Sequence, residues 1–281
     1  MILITIFTVY IVLDTFVLST SYETAVSDEI IKNMDSGEAT SNDNSYEDDN
    51  IEITINEYRE NSTTIYVSDV KLKDSSYLQT AFASNTYGKN ITEKTSTIAE
   101  TVNAILAING DYYGVQQRGY VLKNGKIYRE TSNSKEDLVI YKDGSWKFIN
   151  EDEVTLQELV DDGAYNILSF GPALVLDSSV AVDTNDEVDK AMKNNPRTAI
   201  GKLAENHYVF VVSDGRTNKS TGLTLYELAN FMKELGCTEA YNLDGGGSST
   251  MYFNGNVINN PTTNGNRISE RSVSDIVYIG Y

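Results

Sequence analysis

The alternation of apolar and polar residues predicts a series of short strands from residue 51 onward. Ile51, Ile53 and Ile55 alternate with polar neighbours, as in a strand with one buried face. Further strands are predicted at residues 63–72, 77–83, 105–108 and 208–213, with hairpins around residues 120, 127 and 139. The hairpin turns contain Asn-Gly or Asp-Gly, which favour tight reversals between antiparallel strands.

Helices are predicted at three places between these strands. Residues 95–104 form one, and two others begin where Thr155 precedes Glu158 and Thr224 precedes Glu227, the spacing of a capping box. The last of them ends at Gly236. Many hairpin-spaced strands with a few helices predict an α+β fold, with mixed, largely antiparallel sheets and a few packed helices.

The first 50 residues differ in composition from the remainder. Residues 1–18 are almost entirely apolar, so we predict a signal peptide or membrane anchor over residues 1–22, with possible membrane attachment through residues 1–18. Residues 23–50 are acidic and poor in apolar side chains, which predicts a disordered tether. The folded domain is predicted at 51–281, and the expected location is extracytoplasmic, either secreted or anchored at the cell surface.

Charge and rare residues exclude several classes of function. The net charge of −19 argues against nucleic acid as a partner. One histidine, His207, and one cysteine, Cys237, exclude multi-histidine zinc sites, thiolate clusters and an internal disulfide. Catalysis must therefore use Asp, Glu, Asn, Arg, Tyr or backbone groups.

The glycine-rich segment at residues 242–252 is the strongest local signal. Asn242 and Asp244 end an apolar strand, and Gly245, Gly246 and Gly247 follow before Ser248. Consecutive glycines let the backbone approach a ligand closely and direct N–H groups at an anion.

Three other polar clusters also lie at strand ends. They are Asn109-Gly110-Asp111-Tyr112, Pro196-Arg197-Thr198 and Asp214-Gly215-Arg216. Amides, carboxylates and aromatic rings suit sugar hydroxyls and ring faces. Arginine offers two parallel hydrogen bonds to phosphate, although either arginine could instead pair with a carboxylate of so acidic a chain.

These motifs, together with Ser169-Phe170-Gly171-Pro172, occur in an order that resembles the phosphodiester glycosidase family, over roughly residues 80–281. The resemblance implies hydrolysis of a sugar-1-phosphodiester, with a phosphorylated glycan of the cell surface or exterior as the expected substrate. It does not fix the sugar or the group on the other side of the phosphate.

The resemblance and the residue types together predict roles. Asp244 is expected to be the main catalytic carboxylate and Asp111 the second, with Arg197 at the phosphate. The expected substrate-binding residues are Asn109, Gly110, Tyr112, Thr198, Asp214, Gly215, Arg216, Asn242, Gly245, Gly246, Gly247 and Ser248. Among these, Asn109 and Asn242 would orient the sugar, and the N–H groups of residues 245–248 would hold the phosphate.

Two alternatives remain open at this point. Asp111, Asp214 and Asp244 could instead bind Mg²⁺ or Ca²⁺ in a phosphodiesterase that attacks phosphorus, although no cofactor is required by the first interpretation. The domain could also be a non-catalytic module that binds cell-wall glycan.

Overall fold

The computed structural model describes residues 2–25, 39–187 and 194–281. Within them lie the α-helices α1 (Ile2–Phe16), α2 (Thr95–Thr101), α3 (Leu156–Asp161) and α4 (Leu225–Glu234). The strands are β1 (Thr20–Thr24), β2 (Thr40–Ser41), β3 (Ser45–Glu47), β4 (Ile51–Glu60), β5 (Thr63–Leu72), β6 (Leu78–Phe82), β7 (Thr86–Lys89), β8 (Leu106–Asn109), β9 (Val121–Lys123), β10 (Lys126–Arg129), β11 (Glu136–Tyr141), β12 (Trp146–Asn150), β13 (Ala164–Leu168), β14 (Ala173–Leu176), β15 (Ser179–Val180), β16 (Arg197–Ala204), β17 (His207–Ser213), β18 (Glu239–Leu243), β19 (Met251–Phe253), β20 (Asn256–Val257) and β21 (Asp275–Ile279).

Two large sheets dominate the fold. One has nine strands in the order β15-β14-β18-β16-β17-β5-β4-β3-β2, and the other has five in the order β20-β19-β8-β21-β6. A three-stranded sheet, β12-β11-β13, and the pairs β1-β7 and β10-β9 complete the described strands. The pairs of neighbouring strands in the two large sheets are antiparallel. The predicted α+β class is therefore confirmed.

The two large sheets pack face to face between helices. Ile53, Ile200 and Phe210 of the nine-stranded sheet share one core with Ile108 and Val277 of the five-stranded sheet. Because successive side chains of a strand point to opposite faces, their neighbours face outward. On the outer faces, α4 packs on the nine-stranded sheet and α2 on the five-stranded one. The layers therefore run helix, sheet, sheet, helix.

The helix starts follow the predicted local chemistry. Thr155 and Thr224 each accept a hydrogen bond from the N–H of the glutamate three residues on, and each glutamate carboxylate accepts from the threonine N–H. Gly236, just after α4, has a φ of 93°. The left-handed conformation that glycine tolerates therefore ends this helix, as predicted.

The disordered tether predicted over residues 23–50 is wrong for residues 39–50. There, β2 pairs with β3, and β3 pairs with β4 at the edge of the nine-stranded sheet. Asp48 accepts hydrogen bonds of 2.6 Å from the hydroxyls of both Tyr46 and Tyr281. Residues 20–24 also form a strand, paired with β7. Composition missed these segments because an edge strand is held by backbone hydrogen bonds and needs few apolar side chains.

The remaining N-terminal predictions concern residues 1–22 and 26–38. Residues 26–38 lie outside the described residues, so the tether prediction has no structural counterpart there. Residues 2–16 form α1, and no helix among the described residues is long and apolar enough to cross a membrane.

Candidate active site

The predicted motifs lie at strand ends that meet at one edge of the two sheets. In the nine-stranded sheet, Thr198 pairs with Leu243 and Arg197 with Ser213, so the start of β16 lies beside the ends of β17 and β18. In the five-stranded sheet, Asn109 at the end of β8 pairs with Ile276 near the start of β21. The antiparallel order therefore brings together loops that are far apart in sequence.

Asn109 joins the two sheets at this edge. Its Nδ2 donates to the backbone oxygen of Asp244 at 2.6 Å, and its Oδ1 accepts from Thr198 Oγ1 at 2.8 Å and from the Thr250 N–H at 3.2 Å. Asn109 and Thr198 are both completely buried. These side-chain atoms, predicted to bind substrate, are engaged within the protein and fix the position of Asp244.

Asp244 forms an ion pair with Arg271 at this edge of the sheets. Its Oδ2 accepts hydrogen bonds from Ser248 Oγ at 2.6 Å and from Arg271 at 2.9 Å, and its side chain is 13% exposed. Desolvation raises the pKa of Asp244 above its ordinary value, although Arg271 and Ser248 oppose that effect. The carboxylate is thus held in an environment that favours proton uptake.

The three glycines after Asp244 let the chain turn where other backbone lies very close. Gly246 has a φ of 64° and donates its N–H to the oxygen of Pro196 at 2.8 Å. A Cβ at Gly247 would lie 2.5 Å from Thr263 Oγ1, and one at Gly245 2.9 Å from the oxygen of Pro196. Close packing therefore requires these glycines.

The N–H groups of residues 245–248, predicted to hold a phosphate, are partly bonded within the protein. The Gly246 N–H is bonded to Pro196, and the Ser248 N–H lies 3.4 Å from the oxygen of Gly245. These two donors are already engaged within the protein. Positive charge at this edge comes mainly from side chains.

Guanidinium groups converge beside the glycine loop. Arg216 donates to Asn195 Oδ1 at 2.8 Å and to the oxygen of Thr263, and it lies against Gly246. Desolvation lowers the pKa of Arg216, and the positive charges of Arg271 and Arg197 lower it further. A group of mutually repelling cations is an arrangement that an anion stabilises.

Arg197, the predicted phosphate ligand, is already paired inside the protein. Its NH2 lies 2.7 Å from Glu187 Oε2, its Nε donates to the oxygen of Leu223 at 2.9 Å, and it is 3% exposed. By contrast, the side chain of Arg271 is 39% exposed. The sequence interpretation missed Arg271, whose only local signal is its position shortly before the last strand.

Asp111 belongs to a buried group of charges behind Asp244. Lys123 Nζ lies 3.0 Å from Asp111 Oδ2 and 2.8 Å from Asp275 Oδ2, and all three side chains are nearly inaccessible. Asp111 also accepts hydrogen bonds from the N–H groups of Tyr113 and Ser169. Its filled acceptors and burial indicate a supporting position. Lys123 and Asp275 were not found from the sequence.

Burial sets the charge states in this group. Desolvation, and then the negative charge of Asp111, raise the pKa of Asp275 to about 8, although Lys123 opposes the shift. Burial alone would lower the pKa of Lys123, but the two carboxylates raise it above its ordinary value. Burial thus favours the protonated form of Asp275, and the two carboxylates favour the charged form of Lys123.

Gly110 connects the buried charges to Asp244. A Cβ at this position would lie 2.6 Å from Asp275 Oδ1, so only glycine leaves room for that carboxyl group. The Gly110 N–H donates to the backbone oxygen of Asp275 at 2.9 Å, and its oxygen lies 3.4 Å from the Asp244 N–H. Gly110, predicted to bind substrate, thus has a packing role in the structure.

Asp214, Gly215 and Asn242 also serve the framework of the site. Asp214 accepts hydrogen bonds of 2.8 Å from both the N–H and Nδ2 of Asn260. A Cβ at Gly215 would lie 2.6 Å from the nitrogen of Pro196. Asn242 donates to the oxygen of Gly171 at 2.7 Å and is buried. Tyr112, in contrast, is 43% exposed at the rim.

Asp137 and Glu151 form a second pair of buried acids, behind Ser169. The hydroxyl of Ser169 is 3.4 Å from Glu151 Oε1, while its N–H donates to Asp111. Desolvation, followed by the charge of Glu151, raises the pKa of Asp137 well above its ordinary value. Ser169 therefore links this pair to the acid group behind Asp244.

A metal site formed by Asp111, Asp214 and Asp244 does not appear in the structure. Among the described residues, no three or more His, Cys, Asp and Glu side chains are grouped to hold a metal ion. The oxygens of Asp214 are bonded to Asn260, and those of Asp111 to Lys123 and backbone N–H groups.

The chain is similar in sequence to known proteins. The family model described as phosphodiester glycosidase matches residues 102–280. The SPbeta prophage-derived uncharacterized protein YomE of Bacillus subtilis (strain 168) is 30% identical over 204 residues, which are 70% of this chain and 31% of that protein. The N-acetylglucosamine-1-phosphodiester alpha-N-acetylglucosaminidase of Mus musculus is 39% identical over 66 residues, or 24% of this chain and 13% of that protein. The chain thus spans less than a third of either relative.

Solved structures share the fold at low sequence identity. The catalytic domain of zebrafish N-acetylglucosamine-1-phosphodiester alpha-N-acetylglucosaminidase, auto-inhibited by its pro-peptide, matches with a TM-score of 0.65 and 20% identity, over 94% of this chain and 89% of that one. A hypothetical protein from Synechocystis matches with a TM-score of 0.56 and 15% identity, over 83% and 62% of the two chains.

Proposed function

This chain belongs to the phosphodiester glycosidase family, and on that premise we propose that it hydrolyses the bond between sugar C1 and the phosphate oxygen of a sugar-1-phosphodiester. The observation that carries the proposal is the pairing of Asp244 with Arg271 beside the guanidinium group of Arg216. A carboxylate next to concentrated positive charge suits a reaction in which a sugar cation and a phosphate anion separate.

In the proposed reaction, the arginines stabilise the departing phosphate and the carboxylate of Asp244 acts at sugar C1. A phosphate monoester leaves more readily than an alcohol, so the departing oxygen needs charge stabilisation more than protonation. Arg271 is half-exposed and offers that stabilisation together with Arg216, while Arg197 is enclosed with Glu187. Water supplies the oxygen that forms the new bond to C1, and the phosphate keeps the bridging oxygen.

Asp244 is the proposed catalytic carboxylate, as nucleophile or as base. It is partly exposed, and Ser248 and Arg271 fix one of its oxygens. Asp111 remains the second proposed carboxylate, but in a supporting position, because its side chain is only 1% exposed. The exposed ring of Tyr112 is proposed to contact the substrate at the rim.

We propose a phosphorylated glycan outside the cytoplasm as the natural substrate. This proposal rests on the family and on the apolar first 18 residues. Fractionation of cells producing the full chain is the corresponding measurement. Recovery of the protein in the cytoplasmic fraction alone would contradict the proposed location.

The activity is tested by incubating the purified chain with synthetic sugar-1-phosphodiesters, including one of N-acetylglucosamine. We expect release of the free sugar and a phosphate monoester, both with and without a chelator. Arg271→Met should abolish most of this turnover, whereas Arg118→Met, which removes an exposed arginine bonded to the oxygen of Ser132, should not. Release of sugar phosphate, or complete dependence on divalent cations, would instead favour the phosphodiesterase mechanism.

A further inference from the structure

The charges behind Asp244 form a unit that the reaction scheme above does not use. Two carboxyl groups, Asp111 and Asp275, share one ammonium group, Lys123, at 3.0 and 2.8 Å. Asp275 and Lys123 are 0% and 3% exposed, so both are enclosed by the protein. Unlike an isolated ion pair, this unit has one more acid than base, and an unbalanced charge is costly to bury.

The unit lies directly against the backbone that positions Asp244. The Asp275 carboxyl occupies the space where a side chain at residue 110 would lie, at 2.6 Å from an ideal Cβ. Gly110 bonds through its N–H to the Asp275 backbone and approaches the Asp244 N–H with its oxygen. A change in the charge of Asp275 therefore acts on Gly110 first and on the catalytic loop next.

We propose that Asp275 and Lys123 are positioning residues for the proposed glycosidase reaction, which hold Asp111 and the Gly110–Asp244 contact in the active arrangement. That arrangement is kept while Asp275 carries a proton. With that proton, Asp111, Lys123 and Asp275 sum to zero charge. Without it, a net negative charge is buried behind Asp244. The inference rests on the proposed function for its catalytic readout.

The titration of Asp275 can be distinguished from that of the groups that face it. They are Asp111, Lys123, Asp244 and Tyr113. The pKa of Lys123 is raised by its carboxylate neighbours, and burial, followed by the charges of Asp275 and Asp111, raises the pKa of Tyr113. Both therefore lose their protons above their ordinary range. Asp244 acts in its ionised form as nucleophile or base, so its protonation would lower activity on the acidic side. A loss of activity near pH 8 is consequently assigned to Asp275, whose pKa is about 8.

The first test is the pH dependence of kcat/KM between pH 6 and pH 9.5. We expect the parent to lose about tenfold per pH unit above pH 8, and the ratio of kcat/KM at pH 6.5 to that at pH 9 to fall towards 1 in Asp275→Asn. Asp137→Asn is the matched control, because it removes another buried carboxyl of raised pKa without touching Gly110, and it should keep the alkaline loss. A parent without that loss, or an Asp275→Asn variant that keeps it, would overturn the proposal.

The second test does not depend on activity. A carboxyl whose pKa is higher in the folded state stabilises the fold fully below its ordinary value of 3.8 and loses that contribution as the pH rises through about 8. The Tm of the parent minus that of Asp275→Asn should therefore decrease between pH 5 and pH 9. A constant difference would show that Asp275 has no raised pKa, and it would refute the inference even in an active enzyme. A decreasing difference in a chain that cleaves no sugar-1-phosphodiester would refute the proposed function and the positioning role of Asp275. The raised pKa of Asp275 would still stand.

Discussion

Replacement of Asp244 by asparagine should separate activity from stability. The side chain keeps its shape and can still accept a hydrogen bond from Arg271, but it loses its charge and basicity. Removal of a catalytic base or nucleophile lowers turnover by at least ~10²-fold, which corresponds to about 2.7 kcal/mol of transition-state stabilisation.

Unlike turnover, the stability of the fold is not expected to fall in Asp244→Asn. Desolvation raises the pKa of Asp244, so the contribution of its carboxyl to stability is greatest below the ordinary value of 3.8 and declines as the pH rises through the folded pKa. The ionised form of this carboxyl therefore opposes folding. The lost ion pair with the 39% exposed Arg271 is worth about 1 kcal/mol or less. The free energy of unfolding at pH 7 should consequently stay within about 1 kcal/mol of the parent, or rise.

The assay measures kcat, KM and Tm of the parent and Asp244→Asn at pH 5, 7 and 8. Asp214→Asn is the matched control, because this buried carboxylate at the same edge accepts hydrogen bonds from Asn260. An amide there would leave a donor facing donors, so it should cost about 1–3 kcal/mol of stability. Full turnover by Asp244→Asn would refute the catalytic assignment, and a large loss of Tm would show that the carboxylate is structural.

Three further predictions concern other charges and the N-terminal strands. Arg271→Lys keeps the charge but loses the guanidinium fork, so kcat should fall at least ~10-fold with little change in Tm. Arg197→Lys should chiefly lower Tm, because Arg197 is enclosed with Glu187. Equal effects of the two variants on kcat would contradict this distinction. Lys123→Met leaves two buried acids without their cation and should lower the free energy of unfolding at pH 7 by about 3–5 kcal/mol, measured by denaturant titration; unchanged stability would show that the ion pair is dispensable. Deletion of residues 1–50 removes the hydrogen bonds of Asp48 and should lower Tm, and an unchanged Tm would show that residues 39–50 add nothing to the sheet.

Much of the fold could be predicted because its signals are local. The strand over residues 63–72 follows its apolar pattern and coincides with β5. Both threonine caps form at the predicted places, because a capping box needs only residues within one turn. The meeting of the motifs at one edge could also be expected, since each follows or precedes a strand, although the antiparallel order that brings them together is set by long-range pairing.

The contacts within the site could not be predicted, because they depend on burial and on partners far away in sequence. Asp275 follows Asp111 by more than 160 residues, and only the pairing of β21 with β8 brings it next to Gly110. Lys123 looks like an ordinary hairpin residue, yet it is buried between two acids. Similarly, the sequence shows that Arg197 begins a strand but cannot show that Glu187 encloses it.

The position of bond cleavage tests the central claim most directly. The purified chain would hydrolyse a synthetic sugar-1-phosphodiester in water enriched in ¹⁸O, and both products would be analysed by mass spectrometry over a short time course, before the free sugar exchanges its anomeric oxygen. Attack at C1, beside Asp244, predicts that the label enters the released sugar and that the phosphate monoester stays unlabelled. Label in the phosphate and none in the sugar would show attack at phosphorus and would contradict the glycosidase mechanism.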